Sequence, residues 1–445
     1  MIQSSGYQAK AALGRLGVFP VRGCVAAFAA SLVLPACGGE APQTLIASVS
    51  GGATSAGASS IGGGGAAAND GASAGAATLG DGGRSTGGTA SSAAGAPAEV
   101  MGPPRVVLPC PESGAAIGQW ANITPQGIPL NDVKKSNGAE AFVINPKNSK
   151  VVYLGSDKAG IYKSEDCGGT WTHVDVGSNG TMIDTGAQWT MAIDHEFPDV
   201  LYTNSGYGAN GLWKSSDAGK NWTQVLPPDV AQYVPYGGFI ERITVDPAKH
   251  DHVIVSFHAG CTGPWAPDCL AESTDAGANW HLLKFAPGNA EGTGQTLIDG
   301  QNWFFGPMDG LWRTKDGGAT WNHVYKGYAS DYVYRGKNGT YFSASEVGVI
   351  SSDDGDSWSL IPNSPKSMNL VGDGESLFTT TKDCPSPPEA CQPYSIASES
   401  SPGNWQKYPA APGLTRGGWL LKYDPDHNLL YSSNEFGGFW RVQTK

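Results

Sequence analysis

The sequence predicts an all-β chain: a seven-bladed β-propeller with its N-terminal strand closing the last blade, preceded by a disordered tether. Three observations carry that prediction. A pattern S/T-x-D-x-G-x-x-W recurs along the chain. Each recurrence sits between the third and fourth of four short β-like runs. The last unit lacks its fourth run, and a run of the right kind stands unpaired ahead of the first unit.

The clearest copy is Ser164–Trp171, and it returns at Ser215–Trp222, Ser273–Trp280, Thr314–Trp321 and Ser351–Trp358. A degraded version at Ser398–Trp405 keeps Ser398, Ser400 and Trp405. Successive tryptophans lie 51, 58, 41, 37 and 47 residues apart, the length of one four-stranded unit each time. Every residue type in the pattern has a folding reason. The carboxylate and hydroxyl satisfy turn backbone groups, the glycine permits a positive φ, and the indole packs beneath the turn. Asp166, Asp217, Asp275, Asp316 and Asp353 are therefore read as turn residues, not as catalytic or metal-binding groups.

The first runs of the seven units are Ala141–Ile144, Met191–Ile193, Ile243–Val245, Thr296–Ile298, Tyr332–Tyr334, Asn369–Val371 and Leu420–Tyr423. Turns such as Asn145-Pro146, Asp246-Pro247 and Asp424-Pro425 lead to second runs like Val151–Leu154. Third runs begin on glycine, as in Gly160-Ile161-Tyr162 and Gly310-Leu311-Trp312. The seventh unit stops after Arg441-Val442, and Gln119–Ile123 supplies its missing strand. Closure of this kind removes the free sheet edge that invites mispairing.

The box is similar to the Asp-box, or BNR, repeat of sialidases, sortilin-type receptors and xyloglucan-cleaving glycosidases, over residues 118–445. The resemblance implies that the boxes lie away from the ligand face. It also implies what to look for in each relative. A sialidase binds its substrate carboxylate with three arginines and carries an Arg-Ile-Pro motif. Here Arg242-Ile243 is followed by Thr244, and only Arg242 and Arg416 are placed to reach the top face, so sialidase activity is not expected. Xyloglucan-cleaving relatives set two propellers around a cleft, and their catalytic aspartates map onto no position here. A propeller that assists photosystem assembly leans on a basic arginine patch, which this acidic chain lacks.

Ahead of the propeller, residues 1–36 hold Lys10, Arg15 and Arg22, no acidic residue, and the apolar run Cys24–Leu34. This reads as a secretory signal too short to span a membrane permanently. Leu34-Pro35-Ala36-Cys37 resembles the lipobox of bacterial lipoproteins, which implies lipidation at Cys37; Gly38 after it implies the outer membrane or cell surface. Residues 37–101 are almost all Gly, Ala, Ser and Thr, a flexible linker. The propeller is assigned to 102–445.

Six further cysteines enter an oxidising compartment. Cys261 with Cys269 and Cys384 with Cys391 would each close a short loop, leaving Cys110 with Cys167; the sequence alone leaves other pairings open. The chain of 445 residues has a formal charge of −12, and loss of the leader leaves 25 basic against 40 acidic side chains, or −15. That acidity excludes nucleic acid as a partner and leaves the lipid anchor as the membrane contact. A monomer is expected, with no cofactor and no metal set at ligand spacing.

Boxes and first turns on one face put the other loops on the opposite, top face. Four residues ahead of the aligned first-strand positions lies a ring of Glu140, Trp189, Glu241, Gly294, Ser330, Ser367 and Trp419. Carboxylates flanking an aromatic suit a sugar site, the acids for acid, base or nucleophile and the indoles for stacking on pyranose faces. Packing of the tryptophans between blades, with the glutamates paired to Arg242 or Lys158, is the competing structural reading. Glu140 and Glu241 are the leading catalytic candidates, with His258 and Glu435 behind them. Ligand-binding candidates are Trp189, Trp419, Trp265, Arg242, Arg416 and Tyr207. Excursions at 226–240 and 258–269 would wall the blade 2 to 3 side. The expected function is binding of an extracellular polysaccharide. Glycoside hydrolysis or polysaccharide lysis is the first alternative, and envelope assembly or protein binding the second.

Overall fold

The computed structural model describes residues 109–110, 115–130, 138–285, 295–307, 309–381, 392–411, 414 and 416–445. The leader, the linker, Cys37, Gly294 and the pair Cys384 and Cys391 lie outside them.

Seven antiparallel four-stranded sheets form the blades of a propeller, six from strands consecutive in the chain. The innermost strands are Ala139–Ile144, Met191–Ile193, Ile240–Asp246, Gln295–Asp299, Ala329–Arg335, Asn369–Gly372 and Leu420–Asp424. Each packs against the innermost strand of the next blade, and the seventh returns to the first, so the ring closes. Bulky side chains such as Phe142, Tyr153, Tyr202, Trp303 and Phe342 are fully buried between the sheets.

The seventh blade is the split one. Leu420–Asp424, Leu429–Ser433 and Phe439–Gln443 are joined by Trp120–Asn122, with Trp120 opposite Val442 and Asn122 opposite Trp440. Trp120 also reaches the neighbouring blade: its ring stacks on Tyr394 at 4.5 Å and its Nε1 donates to the Pro409 carbonyl at 2.7 Å.

Four boxes share one geometry. In the first, Ser164 Oγ donates to Asp166 Oδ1 at 2.8 Å and accepts the Gly168 N–H at 2.7 Å. The Asp166 carboxylate then takes the Thr170 N–H and hydroxyl, both at 2.8 Å. Asp217, Asp275 and Asp316 repeat the arrangement with Asn221, Asn279 and Thr320. Gly168 has φ +88°, a conformation a side chain would strain, and Cys167 before it is also left-handed at +62°. The box tryptophans of the next four blades donate Nε1 back to the box glycine, whereas Trp171 donates to the Ile123 carbonyl at 2.7 Å, so the first box also holds the closing segment.

The fifth box departs from the expected register. The bonded pair is Ser352 and Asp354, at 3.0 Å, and not Ser351 and Asp353. With one residue fewer before the tryptophan, Gly355 donates to Ser352 Oγ three positions back instead of four. Asp353 is left to accept from Thr340 Oγ1. The degraded sixth copy is no box at all: Ser398 pairs directly with Ser401 across a two-residue hairpin turn.

Hydrogen bonds from the Asn279 side chain, then its backbone N–H, then Ser273 hold Asp275 down at about 2. The Ser357 and Asp356 N–H groups and the Ser352 hydroxyl do the same for Asp354, also to about 2. A depressed folded-state value stabilises above the unfolded value of about 3.9 and is lost as pH falls through the folded one. Melting temperature is therefore expected to drop between about pH 4 and pH 2, with a shallower drop in Asp275→Asn; an identical slope in both proteins would contradict the box's role.

Disulfides join Cys110 to Cys167 and Cys261 to Cys269, with Cα separations of 5.7 Å in both. The first ties the segment ahead of the closing strand to the first box; the second closes a top loop of blade 3. They mark an extracytoplasmic protein. Among the described residues no helix is long and apolar enough to cross a membrane.

Candidate functional site on the top face

Three innermost strands bulge where they enter the ring, between Ala139 and Phe142, Ile240 and Arg242, and Ala329 and Val333. A bulge inserts an unpaired residue and re-aims its side chain. The bulged residues include Glu140 and Glu241, and Tyr332 in the third case.

Glu241 is the centre of the best-defined group. It is 8% exposed, and its Oε2 lies 2.8 Å from His258 Nδ1. His258 belongs to the loop after the second strand of blade 3, and its N–H bonds to the Phe239 carbonyl at 2.9 Å, which sets the ring beside Glu241. Around the pair stands an aromatic wall. Phe239 lies 4.7 Å from the His258 ring and 5.1 Å from Trp189, and Tyr207 sits edge-on to Trp189 at 5.4 Å. The indole is pinned by its Nε1 bond to the Ile240 carbonyl at 3.0 Å, bridging blades 2 and 3. Gly206 lets Tyr207 approach, since a Cβ there would collide with the Trp189 ring.

Tyr207 remains 70% exposed and Tyr236 beyond it 74%, so the wall has a wet outer surface. Burial of its inner edge and then the Glu241 charge push the Tyr207 phenol up from its ordinary value.

Arg242 turns toward the other side of the ring. Its guanidinium stands over Tyr332 at 5.9 Å and Trp419 at 6.0 Å, and Nη1 is 3.9 Å from Glu241 Oε1. Lys422, on the innermost strand of blade 7, lies over Phe142 at 5.6 Å. Burial, then the nearby Arg242 charge, push its ammonium down to about 8.

Glu140 is buried on the innermost strand of blade 1, at the ring position one blade before Trp189. Glu435 forms a separate group: its backbone pairs with Ala139, its carboxylate meets Arg416 at 2.9 Å, and that guanidinium lies 5.2 Å over Phe436. Trp265 packs onto the apolar cluster of Leu226, Val230, Val234 and the Cys261–Cys269 bridge, which gives it a structural role in the wall. The ring as read from sequence thus divides. Glu241, His258, Trp189, Tyr207, Arg242 and Trp419 come together, and Arg416 with Glu435 stands as its own pair. Phe239, Tyr332 and Lys422 are not among the residues the sequence singles out; only their placement two or three residues from ring positions points to them.

Among the described residues, two donor clusters could hold a metal, and neither includes a residue of this group. One is Cys110, Cys167 and His427, whose sulfurs are joined in the disulfide. The other is His173, Asp175 and Asp184 on blade 1. A cleft of about 580 Å³ between residues 121–127 and the first box belongs to the box-side segment, not to the ring.

Comparison with known proteins agrees on the class. The family model of the BNR-Asp box repeat matches residues 212–225. A xyloglucanase of Hypocrea jecorina is 26% identical over 239 residues, taking in 50% of this chain but only 26% of that enzyme. The GH74 enzyme of Niastella koreensis superposes with a TM-score of 0.53 at 17% identity, over 73% of this chain and 53% of its own. YCF48, solved with a D1 peptide, gives 0.53 at 11% identity, over 74% and 100%. The protein is a BNR/Asp-box β-propeller distantly related in sequence to xyloglucanases, and it shares its fold with YCF48. It matches about a quarter of the curated xyloglucanase's length.

Proposed function

We propose that the top face binds an extracellular carbohydrate polymer, held at the cell surface through lipidated Cys37. The observation that carries this reading is the convergence of Trp189, Tyr207 and Phe239 on the Glu241–His258 pair, with Arg242 and Trp419 beside it. Exposed aromatic edges offer apolar surface to pyranose faces, and the carboxylate and imidazole offer directional partners to hydroxyls. The distant relation to xyloglucanases supports a polysaccharide ligand.

The test is affinity electrophoresis of the full chain against a panel of plant and microbial polysaccharides, xyloglucan included. Retardation of the protein by at least one polymer is expected, with Trp189→Ala and Tyr207→Ala each weakening binding by at least about tenfold, equivalent to ~1.4 kcal/mol. Unchanged retardation in both variants would sink the site. A second reading is hydrolysis or lysis of the same polymer, favoured by the 2.8 Å contact between Glu241 and His258, an acid–base pair in proton-transfer reach. New reducing ends or unsaturated uronate that vanish in Glu241→Gln would establish it; binding without product in wild type leaves a binding module.

A further inference from the structure

The connection from the fourth strand of blade 1 to the first strand of blade 2 carries a cluster that the carbohydrate reading does not use. His173 ends the outer strand Thr172–His173, Asp175 follows two residues later, and Asp184 caps the short helix Gly180–Ile183. His173 Nε2 lies 2.8 Å from Asp175 Oδ1 and 3.5 Å from Asp184 Oδ1. One oxygen of Asp175 is explained by the fold, because Oδ1 accepts the Ile161 N–H at 3.1 Å. The remaining donors are not. His173 Nε2, Asp175 Oδ2 and Asp184 Oδ1 are all shielded from water, and none has a hydrogen-bond partner. Asp175 is only 2% exposed. Two carboxylates and an imidazole turned on one another around the buried Asp175 leave lone pairs and like charge that a bound cation or a shared proton must compensate.

The local chain makes room for that convergence. Gly160 has φ +73°, and a Cβ there would collide with all three donor atoms. Blade 4 provides an internal comparison. A Cβ on Gly310 would likewise meet His323, whose Nε2 is also shielded and without a hydrogen-bond partner while the ring stacks flat on Trp312 at 4.2 Å. The two aspartates are what blade 1 adds.

We propose that His173 Nε2, Asp175 Oδ2 and Asp184 Oδ1 bind one divalent transition-metal cation of the zinc class. The donor atoms lie within 4.8 Å of one another, close enough for a single ion. The imidazole disfavours calcium and magnesium, which take oxygen donors, and the carboxylates disfavour copper(I). The role is structural: the ion fastens the 175–184 segment to blade 1. Thr185 and Ala187 just beyond bond to the Gly206–Ala209 loop that presents Tyr207, so the cation braces one wall of the ring.

The full chain, untagged and stripped with EDTA, is dialysed against zinc, manganese or calcium chloride, and bound metal is measured by elemental analysis alongside thermal melting. Wild type is expected to retain about one zinc per chain and to melt several degrees higher with it, with little calcium bound. Asp184→Asn keeps the shape of a part-exposed side chain, and His173→Gln removes the imidazole; each is expected to lower zinc affinity by at least roughly tenfold and to abolish the melting shift. Equal zinc content in wild type and both variants would overturn the proposal. So would the absence of stoichiometric zinc in wild type, the result expected if the two carboxyls merely share a proton, and so would a preference for calcium.

Discussion

Trp120→Ala is expected to destabilise the propeller by about 3–5 kcal/mol, the range for removing a large buried aromatic. The reason is that Trp120 performs two tasks. Its backbone extends the last blade opposite Val442, while its ring leaves that blade to stack on Tyr394 and stand edge-on to Tyr408 of blade 6. Removing the indole also strands the Pro409 carbonyl that accepted its N–H. The loss should therefore concentrate at the closure. Urea unfolding should show the lower stability, and hydrogen exchange should show faster opening of Trp120–Asn122 and Phe439–Gln443 than of the blade 3 strands. Trp120→Phe keeps the stack and loses the hydrogen bond, so it should cost only about 1 kcal/mol. A change below about 1 kcal/mol in Trp120→Ala would mean that the closing strand is held by the Cys110–Cys167 bridge and not by this ring.

His252→Ala is expected to cost a comparable 3–5 kcal/mol, because it leaves two carboxylates facing a buried void. His252 Nδ1 lies 2.9 Å from Asp246 Oδ2, and Nε2 lies 2.7 Å from Glu272 Oε1. Both His252 and Asp246 are buried, and the exposed His281 reaches the other oxygen of Glu272 at 2.8 Å. Burial alone would lower the His252 value, but Glu272 and then Asp246 outweigh it and hold it above the ordinary one. A raised folded-state value gives stability that is fully present below the unfolded value of about 6.5 and lost as pH rises through the folded one. The stability gap between wild type and His252→Ala, measured by urea titration, should thus be larger at pH 6 than at pH 9. A gap that is constant or grows with pH would contradict the charged imidazole.

The two largest sequence expectations, seven blades and a strand borrowed from the N-terminus, were legible because they rest on local chemistry repeated many times. Ser164, Asp166, Gly168 and Trp171 close a turn among themselves, so the pattern identifies the turn wherever it recurs. The same logic explains the slip at the fifth box. Ser351-Ser352-Asp353-Asp354 offers two overlapping registers, and the eight-residue template chose the outer one. The turn itself tightened by one residue around Ser352 and Asp354.

The ring was legible only in part. Counting four residues back from each aligned strand found Glu241, Trp189 and Trp419, because the innermost strands start in similar places. It could not anticipate that bulges at Glu140, Glu241 and Ser330–Tyr332 would break the two-residue alternation that tells one face from the other. His258 stands in the sequence only as a catalytic candidate behind Glu140 and Glu241, with nothing to pair it to either. It is a partner of Glu241, seventeen residues away in sequence and 2.8 Å away in space.

By itself, the sequence of this protein determined the blade count, the closure and the face on which boxes lie, since each follows from contacts within eight residues or from a period along the chain. Tertiary structure alone decided which ring residues meet, that Arg242 turns to Tyr332 and Trp419, and that His173, Asp175 and Asp184 converge behind Gly160. Those arrangements depend on how successive blades rotate about the axis and where single residues bulge, and no local pattern encodes a distance between strands of different blades.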